Sequence, residues 1–132
     1  MRKLFDNVKA ALSLVPAVHT TNQAYGAVTA VDTQGYEDAM LVVAAGNLVT
    51  VDETYVIEVY ECDTSGGTYV ATGITVAMTA DNTVGVARVK GLGMPRKRYL
   101  KATLTMTGSN ESFPGTALFL LGGADAGPVN SD

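Results

Sequence analysis

The chain has 132 residues, 47% of them apolar and only 17% charged, with a formal net charge of −4. That length suits one domain and removes roughly two thirds of its surface from water on folding, so a core needs no metal or disulfide staple. The lone cysteine, Cys62, excludes an internal disulfide and fits a reducing compartment, and no apolar run reaches the length of a membrane span. A charged fraction well under the usual ~25% points to a surface partly covered by neighbours, although a plain Thr- and Ala-rich domain has the same composition.

Residues 1–15 place Leu4, Val8, Ala11 or Leu12, and Val15 on one side at spacings of three and four, which predicts a short amphipathic helix ended by Pro16. So short a helix needs a surface to pack on. We expect residues 1–16 to be an N-terminal arm or short helix that clamps a partner or packs on its own domain. The basic start and apolar residues 10–15 look like a signal peptide, but Asp6, Asn7 and Lys9 interrupt the pattern. Residues 18–31 read as the first extended segment, bent at Gly26. His19 lacks companions for a metal set or a catalytic triad and reads as a surface or edge residue.

A turn at 32–35 leads to residues 36–45, continuously apolar from Ala39. That fits a strand covered on both faces, in a sandwich or against another subunit. Residues 46–53 are a loop or short strand. Thr54–Cys62 is the predicted centre of the fold: Tyr55, Ile57, Val59 and Glu61 point one way, and Val56, Glu58, Tyr60 and Cys62 the other. Cys62 there reads as a buried or half-buried small hydrophobe. A turn at 63–67 and short strands at 68–72 and 74–78 follow, then a turn at 79–82. Residues 83–90 set Val84 and Val86 against Gly85, Ala87 and Val89. After a Gly/Pro loop at 91–95, residues 98–107 turn Leu100, Ala102, Leu104 and Met106 inward and Tyr99, Lys101, Thr103 and Thr105 outward. Residues 116–121 close the domain as a strand apolar on both faces. About eight short strands with close turn signals and no long helices predict an all-β domain. The expected fold is a jelly-roll-like β-sandwich over residues 17–122, with a loose tail at 123–132.

Charge is segregated. Basic residues occur only at Arg2, Lys3 and Lys9 and in the cluster Arg88, Lys90, Arg96, Lys97, Arg98 and Lys101, whereas residues 10–87 hold nine acidic residues and no basic one. The cluster suits an acidic protein surface or pairing with the chain's own carboxylates. Nucleic acid fits less well, because exposed aromatics are not interleaved with it. The adjacent carboxylates Glu37–Asp38 and Asp52–Glu53 point to opposite faces of a strand, and no nucleotide, zinc or EF-hand pattern is present. The 63–67 turn reads as a turn and not as a calcium site. No catalytic residue, cofactor or metal is expected, and the chain is not expected to be an enzyme.

The segments LVPAV, TTNQAYGAVTAVDTQGYEDAMLVVAAG, YVIEVYECDTSGGTYV, KRYLKATLTMTG and LFLLG resemble small decoration, or cement, proteins of tailed bacteriophage capsids. The resemblance spans roughly residues 12–122 and is most specific at 35–37, 63–69 and 98–100. It implies a jelly roll, made in the host cytoplasm, that binds the outer surface of the virion's capsid and stabilises seams between capsomers. The implied partners are the major capsid protein and the chain itself, as a homotrimer, with no direct nucleic-acid or membrane contact. The expected interface is Arg2, Lys3, Leu4, Val8, Lys9 and Leu12 of the arm with Arg88, Lys90, Arg96, Lys97, Arg98 and Lys101. A tail or baseplate component and a carbohydrate-binding module are the alternatives. The latter wants exposed aromatic platforms, and the chain has no Trp.

Overall fold

The computed structural model describes residues 4–49 and 52–123. Within them lie a one-turn helix, α1 (Leu4–Asn7), and a 3-10 turn at Tyr25–Ala27. The strands are β1 (Val8–His19), β2 (Val31–Asp32), β3 (Asp38–Ala45), β4 (Thr54–Cys62), β5 (Val70–Ala77), β6 (Thr83–Val89), β7 (Tyr99–Thr107) and β8 (Phe113–Gly122). They form two antiparallel sheets, ordered β1-β8-β3-β6 and β2-β7-β4-β5. This interleaving is the strand order of a jelly roll.

The chain changes sheet at every connection except β4 to β5. Close turn signals between alternating runs suit recurring hairpins, yet among the described strands β4–β5 is the one consecutive pair that forms one. A turn of four or five residues serves equally for a hairpin and for a step across the sandwich, so spacing alone does not separate them.

Alternation builds the core. Leu41, Val43, Phe119 and Leu121 of the first sheet face Tyr55, Ile57, Val59, Leu100 and Leu104 of the second, all essentially buried. Residues 54–62 and 98–107 fold as their pattern predicts, and Leu100, Ala102, Leu104 and Met106 are inside. Cys62 is buried, as expected. Residues 68–72 and 74–78 merge into β5, where Gly73, at φ +82°, sits opposite a register shift between Glu58 and Tyr60. That irregularity is a bulge of the sort that blunts an edge strand. Gly85 of β6 is a close-approach glycine: a Cβ there would lie 2.6 Å from Val76 Cγ1 and 2.9 Å from Met78 Sδ, where β5 leans against β6.

The largest departure from expectation is at the N-terminus. Among the described residues of this segment α-helix is confined to Leu4–Asn7, and from Val8 the chain is strand, paired along β8 from Val8↔Gly122 to His19↔Phe113. Residues 8–16, expected in the arm, therefore belong to the first sheet. Pro16 is tolerated because β1 is an edge strand. A bulge between Leu12 and Leu14 turns Ser13 toward the second sheet. Its hydroxyl donates to Thr29 O (2.8 Å) and accepts from Ala102 N (2.9 Å), which stitches the two sheets together. His19, expected as a surface or edge residue, lies on the edge strand β1 but is buried against Phe113, with Nε2 2.9 Å from Val15 O. Among the described residues, no buried side-chain polar atom lacks a partner.

Candidate interaction surface

The two outer faces of the sandwich differ in chemistry. On the second sheet the outward side carries Thr54, Thr75, Thr105 and Thr107 with Val56, Ala77, Glu58, Tyr60 and Lys101, a mixed face with Thr103 buried on it and the Tyr25 turn lying against Tyr60 and Lys101. On the first sheet, residues paired in register share a face. One row across it runs Leu12, Leu118, Val42, Val86; the next runs Ala10, Leu120, Met40, Arg88. A third holds Thr116, Ala44 and Val84. None of these points into the sandwich, and among the described residues the charges that the strands put on this face are Arg88 and Asp38, at one end of it. Val84 and Val86 are 65% and 59% exposed. At that same end α1 leans over the sheet. Leu4, Val8, Met40, Leu120 and Arg88 line an open apolar groove of about 480 Å³ there.

The first sheet is thus apolar on both sides. The sequence predicts 36–45 and 116–121 as strands covered on both faces. In the structure the sandwich covers one face of each, and among the described residues α1 overhangs the other at the Met40 and Leu120 end and leaves the Leu12–Val86 row open. Leu4, Val8, Leu12 and Arg88, named as interface residues from sequence, are brought together here. Met40, Val42, Leu118, Leu120, Val84 and Val86 were not named, although the doubly apolar runs of β3 and β8 were the signal for four of them.

The remaining basic residues lie elsewhere, and most are already paired. Arg98 grips Asp32 through two bonds, Nε to Oδ1 at 2.9 Å and Nη2 to Oδ2 at 2.8 Å, with its guanidinium 5.0 Å from the Tyr99 ring centre. Arg96 meets the buried Glu61 at 3.6 Å, and Lys97 lies 4.0 Å from Asp63. Arg88 pairs with Asp38 at 3.4 Å. Lys101 donates to Tyr25 O (2.7 Å) and sits 4.5 Å from the Tyr69 ring centre. Lys90 and Lys9 are exposed. Arg2 and Lys3 lie outside the described residues. The acidic and basic stretches, separate along the chain, thus neutralise one another in space. Tyr25, Tyr60 and Tyr69 pack on each other around Lys101 and do not form a flat platform.

The Arg98 guanidinium, hydrogen-bonded to Asp32, holds that carboxyl at about 2. The folded value lies below the usual ~3.9, so the pair's contribution to stability is present above about pH 4. It is lost as pH falls toward 2. Both partners are nearly half exposed, so water screens the effect and it is small. Thermal melts from pH 7 to pH 2 should show Asp32→Asn converging on the parent protein in acid. Parallel curves would mean that the pair contributes nothing.

Among the described residues, no group of three His, Cys, Asp or Glu is placed to hold a metal ion, and no helix is long and apolar enough to cross a membrane. Compared with known protein families, curated proteins and solved structures, the chain matches none.

Proposed function

We propose that this chain is a capsid decoration protein of a tailed bacteriophage, a structural module without catalytic activity that sits on the outside of the assembled head. One observation carries the reading: a jelly roll whose first sheet is apolar on its outer as well as its inner face. A solvated antiparallel sheet alternates apolar and polar residues, so a doubly apolar one is built to be covered by protein. The sequence resemblance supplies the assembly, namely the major capsid protein together with further copies of this chain, as a homotrimer.

The mechanism is additive binding. A contact repeated by the symmetry of the shell opposes its opening when the protein binds the closed shell better than the separated subunits. Each copy needs only a standard interface, roughly 1,200–2,000 Å² in total. The contribution then multiplies over the whole surface without any covalent step.

Expanded heads prepared without the protein provide the test. Purified chain should bind them saturably and raise the temperature at which they release DNA. Failure to bind, or equal binding to unassembled capsid protein, would refute the reading. Binding at the tail alone would assign the chain to the tail or baseplate.

A further inference from the structure

We propose that the outer face of the first sheet is the surface on which a second copy of this chain docks. Two identical faces that meet close as a two-fold pair, so this contact joins two copies and is additional to the threefold self-contact of the assembly described above; the proposal rests on that reading for its biological use.

The need for cover comes first. The face is apolar from Leu12 on β1 across Leu118 and Val42 to Val86 on β6. Soluble monomers rarely expose contiguous apolar patches beyond about 300–600 Å². Four strands ~4.8 Å apart and seven residues at ~3.4 Å give a flat footprint of about 450 Å². Side-chain relief and the overhanging α1, with Leu4 77% and Phe5 50% exposed, add to it. Two such faces bury about 900 Å² before that relief is counted, which approaches the ~1,200 Å² of a stable interface. The free edge of the sheet has the same character. Residues 83–87 of β6 carry no Lys, Glu or Pro to deter pairing.

The occupant follows from charge and from availability. The chain carries −4 in total, and copies of one acidic protein repel unless they meet where the charge is absent. This face is such a place. Among the described residues its strands put two charges on it, Asp38 and Arg88, which pair at 3.4 Å at one end, and Asp6 of α1 and Lys90 beyond β6 stand at that same margin, so the rows from Leu12 to Val86 and from Thr116 to Val84 carry no charge. An acidic partner would leave its charge unanswered here. A chain newly made must also stay soluble before any shell is present, and the one surface then available at matching concentration is another copy. Finally, the face holds both a socket and a projection. The socket is the groove floored by Met40 and Leu120, and Leu4 projects beside it. A contact between identical subunits requires both halves on one chain.

The full chain is examined by sedimentation at about 10 µM, where a micromolar interface is populated. The wild type should sediment as an oligomer. Val84→Lys combined with Val86→Lys should sediment as a monomer, with association weakened on the order of 100-fold and the circular dichroism unchanged. Thr105→Lys, on the opposite outer face, should keep the wild-type mass. Should the lysine pair not fold, Leu12→Lys on the other edge strand is read in the same way. A monomeric wild type overturns the proposal, including one whose face becomes covered only on binding a shell. So does an oligomer that the lysines leave intact. An oligomer that the lysines dissociate, but that ignores phage heads, leaves this contact standing and removes the decoration reading.

Discussion

Replacing Tyr55 by alanine should lower the thermal midpoint by roughly 10–20 °C, the largest effect expected of any single substitution here. Tyr55 is 1% exposed at the centre of the sandwich, its ring 5.9 Å from that of Phe113. Deleting a buried aromatic of this size costs about 3–5 kcal/mol. A domain this long loses a few degrees per kcal/mol. The hydroxyl adds a second role: it donates to Val49 O (2.8 Å) and accepts from Ser112 N (3.2 Å), so it pins the loops before β4 and before β8. Tyr55→Phe keeps the ring and strands those two groups, at a cost of about 1–2 kcal/mol. If the two variants melt together, packing is not the larger part, and the assignment of Tyr55 to the core centre is wrong.

The second large effect is expected at Glu61. It continues the inward row of β4 to the end of the sandwich, where it is 7% exposed. Its Oε2 accepts from Lys97 N at 3.0 Å and lies 3.6 Å from Arg96 Nε. Alanine there leaves a largely buried guanidinium and a backbone N–H without a partner, a loss of about 2–3 kcal/mol. Amide exchange at Lys97 should accelerate with it. Asp63→Asn, which breaks only the exposed contact to Lys97, should change stability by less than about 0.5 kcal/mol. Equal losses from the two variants would show that burial does not set the strength of these pairs. The mirror arrangement at the other end of β4 has the same logic: Glu53 accepts from Asp52 N and Asn110 N and ties down the loop after β7.

These two residues mark what the sequence made legible. The period of two in residues 54–62 placed Tyr55, Ile57, Val59 and Glu61 on one face, and all four are inside. Residues 98–107 were as clear, because both strands alternate over a full length and end at turns. What alternation does not carry is the choice of partner. Asp32 and Arg98 stand 66 positions apart, and only the pairing of β2 with β7 brings them together. Hence the sequence leaves the basic cluster open between docking on an acidic surface and pairing with the chain's own carboxylates, and within the fold it is largely neutralised.

The N-terminus failed for a different reason. Leu4, Val8, Leu12 and Val15 satisfy a helical spacing, while Val8, Ala10 and Leu12 satisfy an extended one. A helix of a turn or two is marginal by itself, whereas β1 gains a long ladder against β8 and the Ser13 stitch into the second sheet. Tertiary pairing won over local periodicity. The candidate surface was half legible. Continuous apolar runs at 36–45 and 116–121 announced strands covered twice, but which cover lies inside the sandwich and which is missing required the strand order.

Electron cryo-imaging of phage heads with and without this chain tests the central claim most directly. The account predicts added sandwich-sized density at symmetry-repeated positions on the outer surface of the shell, present in many copies and absent from heads that lack the chain. Identical shells in the two preparations, or density confined to the tail, would contradict it.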